Sequence, residues 1–152
     1  MSAEHPNRKP HILLVEDNPG DVDLLRLAFD SAQLECELTV LDDGGEALAL
    51  VRQEGKYADV PVPDLAILDL NIPKNDGLEI LEAMRATSVY ADVPVAVFSS
   101  SSSPRERAAM ESYRIRRFIT KPSDLEEFMK IGAIVKELLG GAYGRRHLTK
   151  GR

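Results

Sequence analysis

A chain of 152 residues fits one ordinary domain with a single core, and 43% apolar with 29% charged residues is the composition expected of a soluble globular protein. A net charge of −6 argues against general nucleic-acid binding. No apolar run approaches the roughly 20 residues of a membrane helix, Met1 to Pro10 lacks the apolar centre of a signal peptide, and Cys36 alone excludes a disulfide framework and a thiolate metal site; a cytoplasmic location is expected.

The elements follow in chain order. Residues 1–9 are expected to be a disordered tail, and Ile12 to Val15 reads as a first strand. Asn18-Pro19-Gly20-Asp21 is a turn and helix start, with Val22, Leu25 and Phe29 forming an apolar stripe to about Gln33. Cys36 to Leu41 alternates as a shorter strand, Asp42-Asp43-Gly44-Gly45 breaks it, and Glu46 to Glu54 resumes helical spacing. Gly55 to Pro63 reads as a loop, Leu65 to Asp69 as a strand, and Ile72 to Gly77 as turn chemistry. A helix follows from about Leu78, and Val93 to Phe98 is another strand, ending in the serine run Ser99 to Ser103. Ser103-Pro104-Arg105-Glu106 is a capping box with Pro at the first helical position. Phe118 to Thr120 is a short last strand. Ser123-Asp124-Leu125-Glu126 reads as a second capping box opening a helix to about Leu139, and residues 140–152 as a flexible basic tail. Strands alternating with helices mean a parallel sheet covered on both faces, with the site at the carboxyl ends of the strands.

Two of these strands end in carboxylates: Ile12 to Val15 in Glu16-Asp17, and Leu65 to Leu68 in Asp69. Their continuous apolar character marks strands buried on both faces, and two such strands side by side would bring the three carboxylates together. Three carboxylates at one sheet edge raise one another's pKa and call for a cation. An oxygen-only cluster with room for water suits Mg2+, and hence phosphoryl chemistry.

From Pro10 to Leu139 the sequence resembles the receiver domain of two-component response regulators. The likeness rests on five features in order: Glu16-Asp17, Asp69, Asp76-Gly77, Ser99 and Lys121-Pro122. It implies a flavodoxin-like, doubly wound five-stranded parallel sheet of order 2-1-3-4-5 with five helices, an order that follows from the resemblance and not from the spacing. It implies further that Asp69 is the phosphoacceptor, that Asp17 ligates Mg2+ directly and Glu16 mostly through water, and that Asn71 offers its backbone carbonyl. Lys121 would pair with a phosphoryl oxygen, aimed inward by a cis bond to Pro122. Ser99 would hydrogen-bond the phosphoryl group, with Phe118 as the aromatic partner of the switch. Asn71 and Ser101 would tune dephosphorylation.

The pattern departs from the family at Ser99, where Thr is usual, at Phe118, where Tyr is common, and at the bulky connection Tyr113 to Arg117. That connection and the long Gly55–Pro63 loop are similar to the single-domain regulators paired with bacterial phytochromes and related histidine kinases. The expected protein is thus a phosphoacceptor that catalyses its own Mg2+-dependent phosphorylation and dephosphorylation rather than a conventional enzyme. Its expected partners are a sensor histidine kinase and a second copy of itself, paired through the fourth helix, last strand and last helix. Phe128, Ile131, Ile134, Val135 and Leu138 form an apolar stripe that could serve core or interface. Two other classes stay open. A haloacid-dehalogenase-like phosphatase needs a second Asp where this chain has Asn71, and a receiver-like binding module would never be phosphorylated.

Overall fold

The computed structural model describes residues 8–72, 77–100 and 103–140. Five strands alternate with helices: β1 (His11–Val15), α1 (Pro19–Ser31), β2 (Glu37–Leu41), α2 (Gly44–Val51), β3 (Leu65–Leu68), α3 (Gly77–Ala86), β4 (Val95–Ser99), α4 (Pro104–Glu111) and β5 (Arg117–Thr120). The fifth helical region comes in two segments, α5 (Leu125–Met129) and α6 (Ile131–Leu139). All strand pairs are parallel, in the expected order β2-β1-β3-β4-β5.

The period of two along the central strands explains their unbroken apolar sequence. Leu13, Val15, Ala66, Leu68, Val95 and Val97 pack with α2 and α3 on one side of the sheet. Ile12, Leu14, Leu65, Ile67, Ala96 and Phe98 pack with α1 and the last helical segments on the other. Both faces are covered, so every position of β1, β3 and β4 is buried. Strand ends, by contrast, emerge at a polar edge, and that edge carries the acidic residues.

Local chemistry moves several boundaries. The strand ends before Asp42 as read, but α2 starts at Gly44 rather than Glu46, because Asp43 Oδ1 accepts hydrogen bonds from Gly45 N at 2.6 Å and Glu46 N at 3.1 Å. The Ser103 box forms as read, with Glu106 N donating to Ser103 Oγ at 3.1 Å and Ser103 N donating to Glu106 Oε1 at 2.9 Å. The second box does not. Asp124 rather than Ser123 caps α5, accepting from Glu127 N at 2.8 Å. Val93 and Pro94 precede β4 instead of belonging to it, since Val93 N is turned back to Tyr90 O. The Gly55–Pro63 loop opens with a 3-10 turn at Gly55–Tyr57, and another covers Ser88–Tyr90.

The stripe on the last helix is resolved as core. Phe128, Ile131, Val135 and Leu138 are all buried against the sheet and α1, and Ile134 is half-buried beside them. The bulky Tyr113–Arg117 connection is held from beneath by Arg85. Its guanidinium donates to Tyr113 O at 2.7 Å, Val93 O at 2.9 Å and Ala91 O at 3.1 Å, tying α3 to both neighbouring connections. Arg114, at φ +63°, completes that turn.

Gly132 sets how closely α6 approaches α1: a Cβ there would collide with the carbonyl of Ala28. Backbone atoms cannot yield as a flexible side chain can. Gly132→Ala is therefore expected to destabilise the fold by about 1–3 kcal/mol, read as a lower urea midpoint; an unchanged midpoint would mean that the two helices part freely.

Candidate phosphoryl site

The site is built where β1 and β3 leave the sheet. Glu16 N donates to Leu41 O at 2.9 Å and Asp69 N to Val15 O at 3.0 Å, so sheet hydrogen bonding extends to both acidic residues and fixes their backbones. Glu16, Asp17 and Asp69 each present a ligand oxygen, and these oxygens lie within 4.8 Å of one another. Glu16 and Asp69 are buried, whereas Asp17 faces solvent. Glu16 is further held by Asn18 N, which donates to its Oε2 at 3.1 Å, and Asp69 Oδ1 accepts from Asn71 N at 3.1 Å.

α3 approaches Asp69 closely. A Cβ on Gly77 would lie 2.7 Å from Asp69 O, and Gly77 N donates to Leu70 O at 3.1 Å. Glycine at this position is thus required by the passage of the α3 start against the β3 end, which gives Asp76-Gly77 half of its meaning. Asp76 itself and Ser101 lie outside the described residues.

Lys121 enters from the end of β5. Its backbone N donates to Ser99 O at 2.8 Å, locking the two strand ends together. Its Nζ donates to Asp21 Oδ2 at 2.8 Å and to Asp69 Oδ2 at 3.2 Å. Glu16 Oε1 is 3.0 Å away, an ion pair by distance without hydrogen-bond alignment. The ammonium also lies 5.1 Å from the centre of the Phe98 ring. No described peptide bond is cis, so the Lys121–Pro122 bond is trans, against expectation. The backbone bond to Ser99 and three carboxylates direct the ammonium inward without it.

Charge is shared unequally. Burial is the largest influence on Glu16 and, with Asp69 beside it, raises its pKa to about 7 despite the nearby ammonium. For Lys121 burial opposes the charge, yet the hydrogen bond to Asp21 and the nearby carboxylates of Glu16 and Asp69 leave its pKa above the ordinary lysine value. All the donor atoms facing the cluster's centre are oxygens, which suits a hard divalent cation and not a soft one.

Ser99 closes β4 fully buried, paired with Thr120 in the sheet. Phe118 is half-buried in β5, with the Arg107 guanidinium 4.1 Å above its ring. Asn71 is exposed directly after the site. One site residue was not singled out from the sequence. The sequence marks Asp21 only as part of a helix start, and nothing in its spacing signals a bond to a lysine 100 positions away.

The response regulator receiver domain matches residues 12–132. The chain belongs to the response regulator receiver family. Response regulator Rcp1 from Synechocystis sp. is 32% identical over 129 residues, spanning 85% of this chain and 88% of Rcp1. The crystal structure of the phosphorylated cyanobacterial phytochrome response regulator RcpA superposes with a TM-score of 0.80 at 34% identity, covering 87% of this chain and 94% of RcpA. The Mn2+-bound form of Rcp1 does so with a TM-score of 0.75 at 32% identity, covering 81% and 88% of the two chains. Family membership sets aside the dehalogenase-like phosphatase. Among the described residues no helix is long and apolar enough to cross a membrane.

The raised pKa of Glu16 has a consequence for metal-free protein. Between the ordinary 4.5 and about 7 the folded state keeps a proton that the unfolded chain gives up. The stability contributed by this group is therefore fully present below 4.5 and is lost as the pH rises through 7. In EDTA, Glu16→Gln should flatten that part of the urea-midpoint profile; an identical slope in both proteins would contradict the assignment.

Proposed function

We propose that this receiver accepts a phosphoryl group from a sensor histidine kinase on Asp69 in a phytochrome-type pathway. The observation that carries the reading is the meeting of Asp69 with both Lys121 Nζ, at 3.2 Å, and the Glu16–Asp17 carboxylates. In the transfer, an Asp69 carboxylate oxygen forms the O–P bond while the N–P bond to the kinase histidine breaks, and the histidine nitrogen retains the electron pair.

Mg2+ would be held by Asp17 directly, by Asp69, by the Asn71 carbonyl, and by Glu16 mostly through water, and when bound it supplies charge neutralisation at the transferring group. The exposed position of Asp17 and the buried pairing of Glu16 with Lys121 support that division. Lys121 would donate to a phosphoryl oxygen, and the Ser99 hydroxyl to another. Ser99 drawn inward would open space for Phe118 to rotate away from Arg107, which alters the α4–β5 surface.

The phytochrome part of the reading draws on RcpA, a phytochrome response regulator. Rcp1 is matched over 88% of its own length, so that relative is itself little more than a receiver. On this reading the receiver's own surface carries the signal, in the cytoplasm beside a kinase.

A homodimer through α4, β5 and the last helix belongs to the same proposal, on different grounds from the apolar stripe. Among the described residues β5 is an edge strand paired only with β4, and it presents Arg117, Thr120 and the Arg107-capped Phe118. Light scattering at tens of micromolar protein, with and without acetyl phosphate, should give a dimer mass in at least one state; a monomer in both would exclude it.

The phosphoacceptor reading is tested by intact mass. Acetyl phosphate with Mg2+ should add one phosphate to the wild type and none to Asp69→Asn, and EDTA should abolish the addition. Undiminished labelling of the variant would overturn the reading.

A further inference from the structure

Lys121 and a divalent cation want the same oxygens. Two of the three carboxylates around the ammonium, Glu16 and Asp69, belong to the metal-type cluster. Asp21 is the remaining acceptor and lies outside that cluster, yet it makes the shortest contact, 2.8 Å.

We propose that Asp21 is a positioning residue, whose carboxylate anchors the Lys121 ammonium at the site so that Glu16 and Asp69 are left to the cation. The inference rests on the functional reading above, because it assigns the cluster to Mg2+.

Three observations carry it. First, Asp21 is fixed in place. Its backbone N donates to Asn18 Oδ1 at 3.2 Å, and Asn18 N donates to Glu16 Oε2 at 3.1 Å, so one relay sets the spacing between the β1 end and the first turn of α1. Second, Lys121 is fixed by its backbone bond to Ser99 O, and its side chain is only 14% exposed. Asp21 is 20% exposed, so the pair is poorly screened by water and its coupling is correspondingly strong.

Third, an ammonium has three donors, and Asp21 needs only one. While the Asp21 bond persists, the ammonium keeps only a longer, 3.2 Å bond to Asp69 and a contact with Glu16 that lacks hydrogen-bond alignment. Without Asp21, Lys121 closes fully on Glu16 and Asp69, and a cation entering the cluster meets a competing like charge on its own ligands. Asp21 therefore acts on the metal site through Lys121, which distinguishes it from a carboxylate that merely adds negative field.

Mg2+ titration calorimetry on the full chain separates these roles. Asp21→Ala should weaken Mg2+ binding roughly fivefold, the size of a coupled contact pair, and lose less than about twofold when made in a Lys121→Met background. Asp21→Asn keeps an acceptor oxygen and the shape of the helix start, and should fall between wild type and Asp21→Ala. Equal losses in both backgrounds, or no loss in either, would overturn the assignment. Phosphate uptake from acetyl phosphate, followed in the same samples, reports separately on the functional reading: a wild type that binds Mg2+ but takes no phosphate sinks that reading, and the calorimetric cycle still decides the role of Asp21.

Discussion

One ammonium faces carboxylates from three separate elements. Lys121, after β5, reaches Glu16 after β1, Asp69 after β3 and Asp21 in α1. These contacts join the two halves of the sheet at the edge where negative charge accumulates, and they leave an excess of carboxylate over cation. Burial intensifies the imbalance, since Glu16 and Asp69 have little water to share their charge. A divalent cation relieves it, and so does protonation of Glu16, whose pKa is pushed to about 7. The site is thus built with a deficit of positive charge, which suits the divalent cation and the phosphoryl group of the proposed function.

The rest of the fold supports this edge. Sheet hydrogen bonds continue to Glu16 and Asp69, so both acidic residues are set by strand geometry rather than by loop conformation. Gly77 lets α3 start against the backbone of Asp69. The Ser99–Lys121 backbone bond couples the β4 and β5 ends, so a movement of one is felt by the other. On the far side of β5, Phe118 lies under Arg107 in a contact that links the sheet to α4. Site and surface are thereby connected through two short strands rather than through a mobile loop.

Much of this arrangement was legible in the sequence. Continuous apolar runs at Ile12–Val15 and Leu65–Leu68 could be read as central strands because both faces are buried, and the carboxylates that end them fell at the carboxyl edge without further information. The strand order came from family resemblance alone. Asp21 was not legible, because a first-turn aspartate is common and its partner is distant in sequence. Arg85 was hidden for a related reason: its partners are backbone carbonyls, which carry no sequence signal. The apolar stripe on the last helix could be divided between core and surface only by its packing against α1, where Gly132 permits a closer approach than the pattern suggests. Gly44-Gly45 ends the strand as its composition suggests, but it also opens α2, because the adjacent Asp43 supplies a cap.

The central claim is that Asp69, and no other carboxylate of the cluster, carries the phosphoryl group. Borohydride reduction of the acetyl-phosphate-treated protein converts an aspartyl phosphate to homoserine, and peptide mass spectrometry then locates the altered residue. The account predicts homoserine at position 69 alone, dependent on Mg2+. Reduction products at Glu16, Asp17 or Asp21, with Asp69 intact, would contradict it.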